Sequence, residues 1–163
     1  MKKVLLVLLC GVFLLGVTGC VHKTTDEYIK DEIDIDISSC VIEDEQDNHG
    51  GFHGDGDYIV RANCTENPQK ILNQLNNWNN LPLSENLQLI MYGGERDGIT
   101  YSYNLAQKAN IPKINNGYYY FLNRKSNAVN EHSDDIFDKY SFNFTLVLYD
   151  KDNNMFYYYE FDT

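Results

Sequence analysis

The residues with the clearest capacity for chemistry stand in one short stretch, HGGFHGDGD, which covers residues 49–57 and holds two histidines, two aspartates and four glycines. Imidazole nitrogens and carboxylate oxygens are ligands that zinc, manganese and nickel accept. Histidines four residues apart normally bind one metal from a single helix face, and four glycines make a helix improbable here. We therefore favour a hairpin turn of mostly structural role and keep a metal site as the alternative. The candidate metal ligands are His49, His53, Asp47, Asp55 and Asp57.

Aromatic residues offer a second kind of chemistry, the recognition of a partner. Phe52 has glycine and histidine as neighbours, so its ring either folds back onto the protein or is available to a partner. Two tyrosine runs, 118–120 and 157–159, stand in predicted strands, whose alternation directs rings to both faces of a sheet. We expect these rings to fill a core, with a recognition surface for a protein or glycan as the alternative. The candidates for partner contact are Phe52, Tyr118, Tyr120, Tyr157 and Tyr159.

Catalytic motifs are poorly represented. No serine stands in a G-x-S-x-G elbow, and the stretch from Asp150 begins like a calcium loop but has Met155 where glycine is needed and Phe161 where glutamate is needed. We predict no catalytic residue and no cofactor, and a non-catalytic binding or interaction module rather than an enzyme. The alternative is a metal-dependent envelope hydrolase, or a metal-binding protein, that uses the HGGFHGDGD loop.

The first twenty residues, MKKVLLVLLCGVFLLGVTGC, combine a basic start at Lys2 and Lys3 with an apolar run from Val4 to Val17. This pattern indicates an export signal. Fourteen helical residues would span roughly 21 Å, well short of the ~30 Å hydrocarbon core of a bilayer. A permanent membrane span is therefore disfavoured.

The signal ends in VTGC, residues 17–20, which resembles the lipobox of bacterial lipoproteins. The resemblance implies that a diacylglyceryl group is attached to the thiol of Cys20 and that residues 1–19 are removed as a signal peptide. The protein would then be anchored to the extracytoplasmic face of the cell membrane, where two acyl chains hold a protein stably and one chain only marginally. An ordinary secretory signal cut nearby is the alternative.

Charge excludes one class of partner. Loss of the two signal lysines leaves 11 basic against 24 acidic residues, a net charge of −13. Nucleic acid binding needs clustered lysine and arginine, and no basic patch is visible, so we exclude it. Residues 20–32 are expected to form the lipidated cysteine and a polar, acidic tether that holds the domain off the membrane.

Two of the four cysteines, Cys40 and Cys64, remain once Cys10 is removed with the signal and Cys20 is lipidated. In an exported domain they are expected to form a disulfide. The flanking segments 33–43 and 57–64 read as antiparallel strands, and paired cysteines set a register in which partner numbers sum to 104. This register places Ile42 opposite Ala62 and Glu43 opposite Arg61, and it centres the connecting turn on Phe52. A tight Asp55-Gly56 turn would instead make partner numbers sum to 111 and separate the cysteines.

The remaining chain predicts one α+β domain, residues 33–163, with an antiparallel sheet built from hairpins and one main amphipathic helix packed on one face. The main helix is expected over residues 67–80, with Trp78 as a core anchor. Residues 86–103 are predicted to form two strands joined by a turn, although Ser84 could cap a short helix instead. A short helical turn at 105–110, a strand after Asn116-Gly117 and a hairpin over 140–161 complete the prediction.

Three stretches carry a second resemblance: HGGFHGDGD, IPKINNGYYYF, and YSFNFTLVLYD with YYYEFDT. Together they are similar to a group of uncharacterised short lipoproteins of low-GC Gram-positive bacteria. This resemblance implies the cell envelope as the compartment and carries no activity to this chain.

Overall fold

The computed structural model describes residues 23–50, 54–125, 132–137 and 140–163. The predicted signal sequence, Cys20, Phe52 and His53 lie outside these ranges. The helices are α1 (Thr25–Ile33), α2 (Pro68–Leu72), α3 (Glu85–Tyr92) and α4 (Leu105–Lys108). The strands are β1 (Val41–Asp47), β2 (Gly56–Asn63), β3 (Asn79–Asn80), β4 (Gly94–Arg96), β5 (Ile99–Tyr101), β6 (Gly117–Asn123), β7 (Asn143–Asp150) and β8 (Met155–Asp162).

Six strands form one antiparallel sheet in the order β1-β2-β8-β7-β6-β3, and β4 and β5 form a separate small hairpin. The chain therefore has the antiparallel sheet and the α+β class that the sequence predicts. The tyrosine-rich strand β8 is central and lies between β2 and β7. Its residues alternate between two apolar clusters, with Phe156 and Tyr158 in one and Tyr157 and Tyr159 in the other.

The first hairpin confirms the cysteine register at its start. Cys40 and Cys64 form a disulfide with their Cα atoms 4.3 Å apart. Next to it Ile42 pairs with Ala62, as predicted, but the register shifts between Ile42 and Asp44 so that Asp44 pairs with Arg61. The expected pair of Glu43 and Arg61 is therefore wrong, because the extra residue of this irregularity turns the Glu43 side chain to Asn63, whose Nδ2 donates to Glu43 Oε1 across 3.0 Å.

The predicted tether contains a helix. Thr24 and Glu27 form a capping box at the start of α1, and Asp34 ends the helix in the left-handed conformation at φ 56°. Ile29 and Ile33, four residues apart, are buried against the sheet in the cluster that contains Val60. The expectation of a polar tether through residue 32 is thus wrong from Thr24 onward, because these two isoleucines give an otherwise polar segment an apolar stripe.

The predicted main helix is much shorter than expected. It ends after Leu72, and the Asn73 side chain accepts a hydrogen bond from Gln69 while its carbonyl accepts one from Asn76. Asparagine competes with helical hydrogen bonds through such local contacts, so the Asn-rich stretch turns toward β3 instead of continuing the helix. Trp78 is half-buried with its ring centroid 5.7 Å from that of Tyr120, which agrees with a role in the core.

Residues 85–92 form helix α3 rather than the first of two strands. The Ser84 hydroxyl caps this helix by accepting from the Leu87 N–H across 3.4 Å. Leu87, Ile90 and Met91 are fully buried at helical spacing. The two-strand prediction is therefore wrong for this stretch, and the Ser84 alternative is correct.

Both faces of the sheet are covered. The first face carries α3 and α4 over a cluster that includes Ile59, Phe144 and Tyr159. The second face carries α1 and parts of the segments 35–40 and 71–78 over a cluster that includes Val60 and Tyr158. The prediction of one main helix on one face is wrong because the apolar residues of α1 and α3, neither of which the prediction favoured, cover opposite faces.

Candidate functional site

A cleft of about 480 Å³ opens on the α1 side of the sheet, where this helix starts above β1, β2 and the end of β8. Ligand sites are usually concave and carry a few converging polar groups, which makes this cleft the candidate site. Its walls combine tyrosine rings, threonine hydroxyls, carboxylates and an imidazole. The lining residues are Lys23, Thr24, Thr25, Tyr28, Glu45, Asp47, His49, Tyr58 and Glu160.

The start of α1 places one wall. Its capping box fixes the direction in which the helix leaves residue 24, and Tyr28 follows one turn later on the side that faces the sheet. The Tyr28 hydroxyl donates to Glu160 Oε1 across 2.9 Å. The Tyr28 ring meets the ring of Tyr58 edge to face, with centroids 5.7 Å apart. Tyr28 thus joins α1 to strands β2 and β8 at the floor of the cleft.

Glu160 is a buried carboxylate, with only 3% of its surface exposed. It accepts hydrogen bonds from the Tyr28 and Tyr158 hydroxyls and lies 2.7 Å from Arg124 Nη1. A buried charge persists only when it is paired and hydrogen-bonded in this way. Burial and then Glu160 raise the pKa of Tyr158, so its hydroxyl stays protonated and continues to donate.

Arg124 continues the network outward. Its Nη2 lies 2.6 Å from Asp162 Oδ2, so one guanidinium connects the carboxylates of Glu160 and Asp162. Burial opposes the charge of Arg124, but the two carboxylates outweigh it and raise the pKa above its ordinary value. Arg124 therefore balances one of the two negative charges at the end of β8.

Glu45 on β1 is bound differently. Its two carboxylate oxygens accept from the Thr25 and Tyr58 hydroxyls, each across 2.7 Å. Among the residues that the structure describes, no ion pair involves Glu45. Lys23, a cation on the cleft wall, is paired with Asp31 across 2.6 Å. Glu45 is thus a carboxylate oriented by neutral donors, whose charge is available to a ligand.

His49 closes the far end of the cleft. Its Nδ1 lies 2.8 Å from Asp47 Oδ1 and its Nε2 lies 3.1 Å from Asp162 Oδ2. Burial lowers the pKa of His49, but both carboxylates raise it further, so the net shift is upward. The backbone N–H of His49 and then its ring lower the pKa of Asp47. Two of the predicted loop ligands, Asp47 and His49, are therefore in contact, and Asp162 contacts the His49 ring from its other side.

The other predicted loop residues are not gathered with them. Asp57 accepts from the Asn48 side chain across 2.7 Å, and Asp55 is exposed, with its backbone oxygen bonded to Gly50 N. His53 and Phe52 lie outside the described residues. Within the described ranges, no group of three or more histidine, cysteine, aspartate or glutamate side chains is placed to hold a metal ion.

The tyrosines proposed as partner contacts divide by face. Tyr157 and Tyr159 are buried in the cluster beneath α3 and α4, so neither is accessible to a partner. Tyr118 and Tyr120 are half-buried against the opposite cluster. The tyrosines that line the cleft, Tyr28 and Tyr58, were not among the predicted contacts.

Sequence reasoning also missed Glu45 and Glu160. Glu160 had a usable signal, because it is the lone charge in the apolar run MFYYYEF of a predicted strand, and a buried charge needs partners. Tyr28 also had a usable signal, because the T-x-x-E capping pattern of residues 24–27 directly before it indicates the start of a helix. No such local signal marks Glu45 among its acidic neighbours.

Comparisons of the chain with protein-family models, with curated proteins and with solved structures find no match. In the described part of the chain, no helix is both long enough and apolar enough to cross a membrane.

Proposed function

We propose that the protein is a lipoprotein of the cell envelope, anchored to the membrane through Cys20, and that its domain is a non-catalytic binding module. The observation that carries the binding function is the cleft, in which the charge of Glu45 is oriented by two hydroxyl donors and has no cation partner among the described residues. A charged group held in this way is suited to recognise a positively charged group of a ligand.

The position of the cleft supports a function at the membrane. Lys23 on its wall is three residues after Cys20, and an extended chain spans at most ~3.6 Å per residue. A lipidated Cys20 would hold the Lys23 Cα atom, at the cleft wall, within roughly 11 Å of its own Cα atom. The ligand would therefore be met at the membrane surface.

The chemistry of the lining favours binding over catalysis. Its phenols have raised pKa values, first through burial, so they remain neutral donors. Both ring nitrogens of His49 are engaged by carboxylates, and among the described residues no serine or cysteine side chain lines the cleft. The imidazole of the cleft is thus oriented by carboxylates rather than toward a nucleophile, which favours binding over nucleophilic catalysis.

Site-specific photocrosslinking in living cells tests the binding function. A benzophenone amino acid at Lys23, on the cleft wall, is expected to yield a discrete adduct that disappears when Glu45 is changed to Lys. The same probe at Thr100, an exposed residue of β5, is the matched control and should yield no such adduct. Absence of the Lys23 adduct, or envelope hydrolysis by the purified protein that a chelator abolishes, would contradict the proposal.

Replacing Cys20 by Ala tests the anchor separately. The variant should lose its acyl label and leave the membrane fraction. Unchanged membrane retention, together with an unchanged acyl label, would show that another segment holds the protein at the membrane.

A further inference from the structure

Strand β1 is an edge of the six-stranded sheet and borders the cleft. In the part of the chain that the structure describes, it pairs on one side only, with β2. Two backbone hydrogen bonds show which alternate residues of this segment direct their backbone groups toward β2. Asn48 N donates to Asp57 O across 2.8 Å, and Gly50 N donates to Asp55 O across 3.1 Å. Hydrogen-bonded pairs recur every second residue in an antiparallel ladder, so the backbone groups of Glu45 and Asp47 are directed to the open edge.

The same two residues supply carboxylates to the cleft. Glu45 and Asp47 are two residues apart, so their side chains share one face of β1, and both line the cleft. A strand added along this edge would form main-chain hydrogen bonds with these residues. Its side chains on the cleft face would lie next to their carboxylates.

We propose that β1 accepts an extended basic segment of a partner protein as an additional strand, with a lysine or arginine side chain of that segment in the cleft beside Glu45. The inference rests on the proposed binding function and names the partner of the same site. Strand addition of this kind takes its affinity from main-chain hydrogen bonds and its specificity from pockets for alternate side chains.

Charge complementarity selects this occupant. Strand β1 has the sequence VIEDEQD, with four acidic residues and no basic residue, and the full chain has a net charge of −11. A second copy paired along the same edge would bring these acids together, which is unfavourable. A basic segment would instead place its cations opposite them.

The start of β1 adds an apolar contact. Val41 and Ile42 are 57% and 37% exposed, respectively, beside the point where the register shifts. An apolar residue of the partner segment can cover them. The complementary segment is therefore short and extended, with basic residues toward Asp47 and an apolar residue toward Val41.

The probe is an acetylated and amidated octapeptide of alternating valine and lysine, titrated against the full-length lipoprotein in detergent micelles. We expect saturable binding, and a loss of affinity of about tenfold or more in Glu45→Gln, which removes the charge but keeps the shape. Gln46→Ala is the matched control on the opposite face of β1 and should bind as the parent protein does. Asp47→Asn provides a second charge-neutral variant if Glu45→Gln fails to fold.

Two modified peptides separate strand addition from simple charge attraction. The same octapeptide with every backbone nitrogen methylated keeps every lysine but has no N–H group to donate along a strand edge, and it should bind about tenfold or more weakly. The valine and glutamate analogue should not bind. Equal affinity for the methylated peptide, or no binding of the parent peptide, would overturn the inference.

These outcomes are distinguishable from failure of the proposed function. If the Lys23 crosslink persists while the octapeptide does not bind, the cleft has a ligand and this partner class is wrong. If sedimentation shows a dimer that Glu45→Pro abolishes by removing an N–H of the open edge, the edge pairs with a second copy and the inference is also wrong.

Discussion

The hydroxyl of Tyr28 donates to the buried carboxylate of Glu160 across 2.9 Å and so joins α1 to the central strand β8, 132 residues later in the chain. A helix that follows the proposed anchor by a few residues is thereby tied to the middle of the sheet. Movement of α1 relative to β8 would break this bond and open the floor of the cleft. The stability of the helix and the shape of the site are therefore coupled.

The first prediction concerns this bond. Tyr28→Phe keeps the ring and leaves Glu160 with one donor fewer, so the free energy of unfolding should fall by about 1–3 kcal/mol. Urea denaturation followed by circular dichroism measures the change. Tyr140→Phe is the matched control, since Tyr140 is fully exposed, and should have no measurable effect. An equal loss in both variants would show that the Glu160 bond contributes nothing specific.

The second prediction concerns the compensation of buried charge. Arg124→Met removes the guanidinium between Glu160 and Asp162 and should cost about 3–5 kcal/mol, because it leaves a buried carboxylate without its cation. Adding Glu160→Gln should recover part of this loss. The double-mutant cycle therefore predicts a non-additive result. Additive losses would mean that the two side chains do not act as a pair.

The third prediction concerns the disulfide of Cys40 and Cys64, which are separated by 24 residues. Closing a loop of this length lowers the conformational entropy of the unfolded chain, which on the chain-entropy model raises the free energy of unfolding by about 3.5 kcal/mol. The double variant with alanine at both positions should lose stability of that order while keeping the sheet. Retention of full stability would show that the bond does not constrain the unfolded ensemble.

The first hairpin shows how much of the fold could be predicted from the sequence. Cysteine usage, together with the expectation of export, predicted its disulfide and its starting register. The irregularity at Glu43 could not be predicted, because a one-residue shift leaves the same alternation on either side of it. The predicted register was therefore wrong by one residue beyond Ile42, so that Asp44 rather than Glu43 pairs with Arg61.

The helices show why the rest was not predicted. The segment TDEYIKDEI of α1 is mostly polar, so two isoleucines four residues apart were too weak a pattern to outweigh a composition typical of a tether. The run NLQLIM of α3 first alternates polar and apolar residues and then becomes apolar, so it fits neither a strand period nor a helix period clearly. Only the cap at Ser84 distinguishes a helix from a strand here.

The cleft depends on contacts that no local pattern encodes. Tyr28, Glu45 and Glu160 come from three separate elements, and their meeting follows from the strand order and from the packing of α1. The sequence alone did bring attention to Asp47 and His49, because histidine and aspartate in a glycine-rich stretch are conspicuous. It favoured a structural turn and kept a metal as the alternative partner of these residues, whereas the structure pairs His49 with Asp47 and Asp162.

The last prediction concerns this pairing and its dependence on pH. The pKa of His49 is raised in the folded protein, so its contribution to stability is complete below the ordinary histidine pKa and is lost as pH rises through the folded value. The pKa of Asp47 is lowered, so its contribution is present above the ordinary aspartate pKa and is lost as pH falls through the folded value. The interaction is therefore strongest between these limits, in the mildly acidic range.

His49→Gln should be less stable than the parent protein by about 1 kcal/mol at pH 5.5, and the difference should shrink at pH 8.5. Amide exchange localises the effect: the N–H groups of Asn48 and Gly50, which bond across the hairpin, should exchange faster at pH 8.5 than intrinsic chemistry requires, while that of Val147 in the core should not. A titration of the His49 ring by NMR gives the folded pKa directly. A value at or below that of an unstructured histidine, or a stability difference that grows with pH, would show that the two carboxylates do not hold the imidazolium in place.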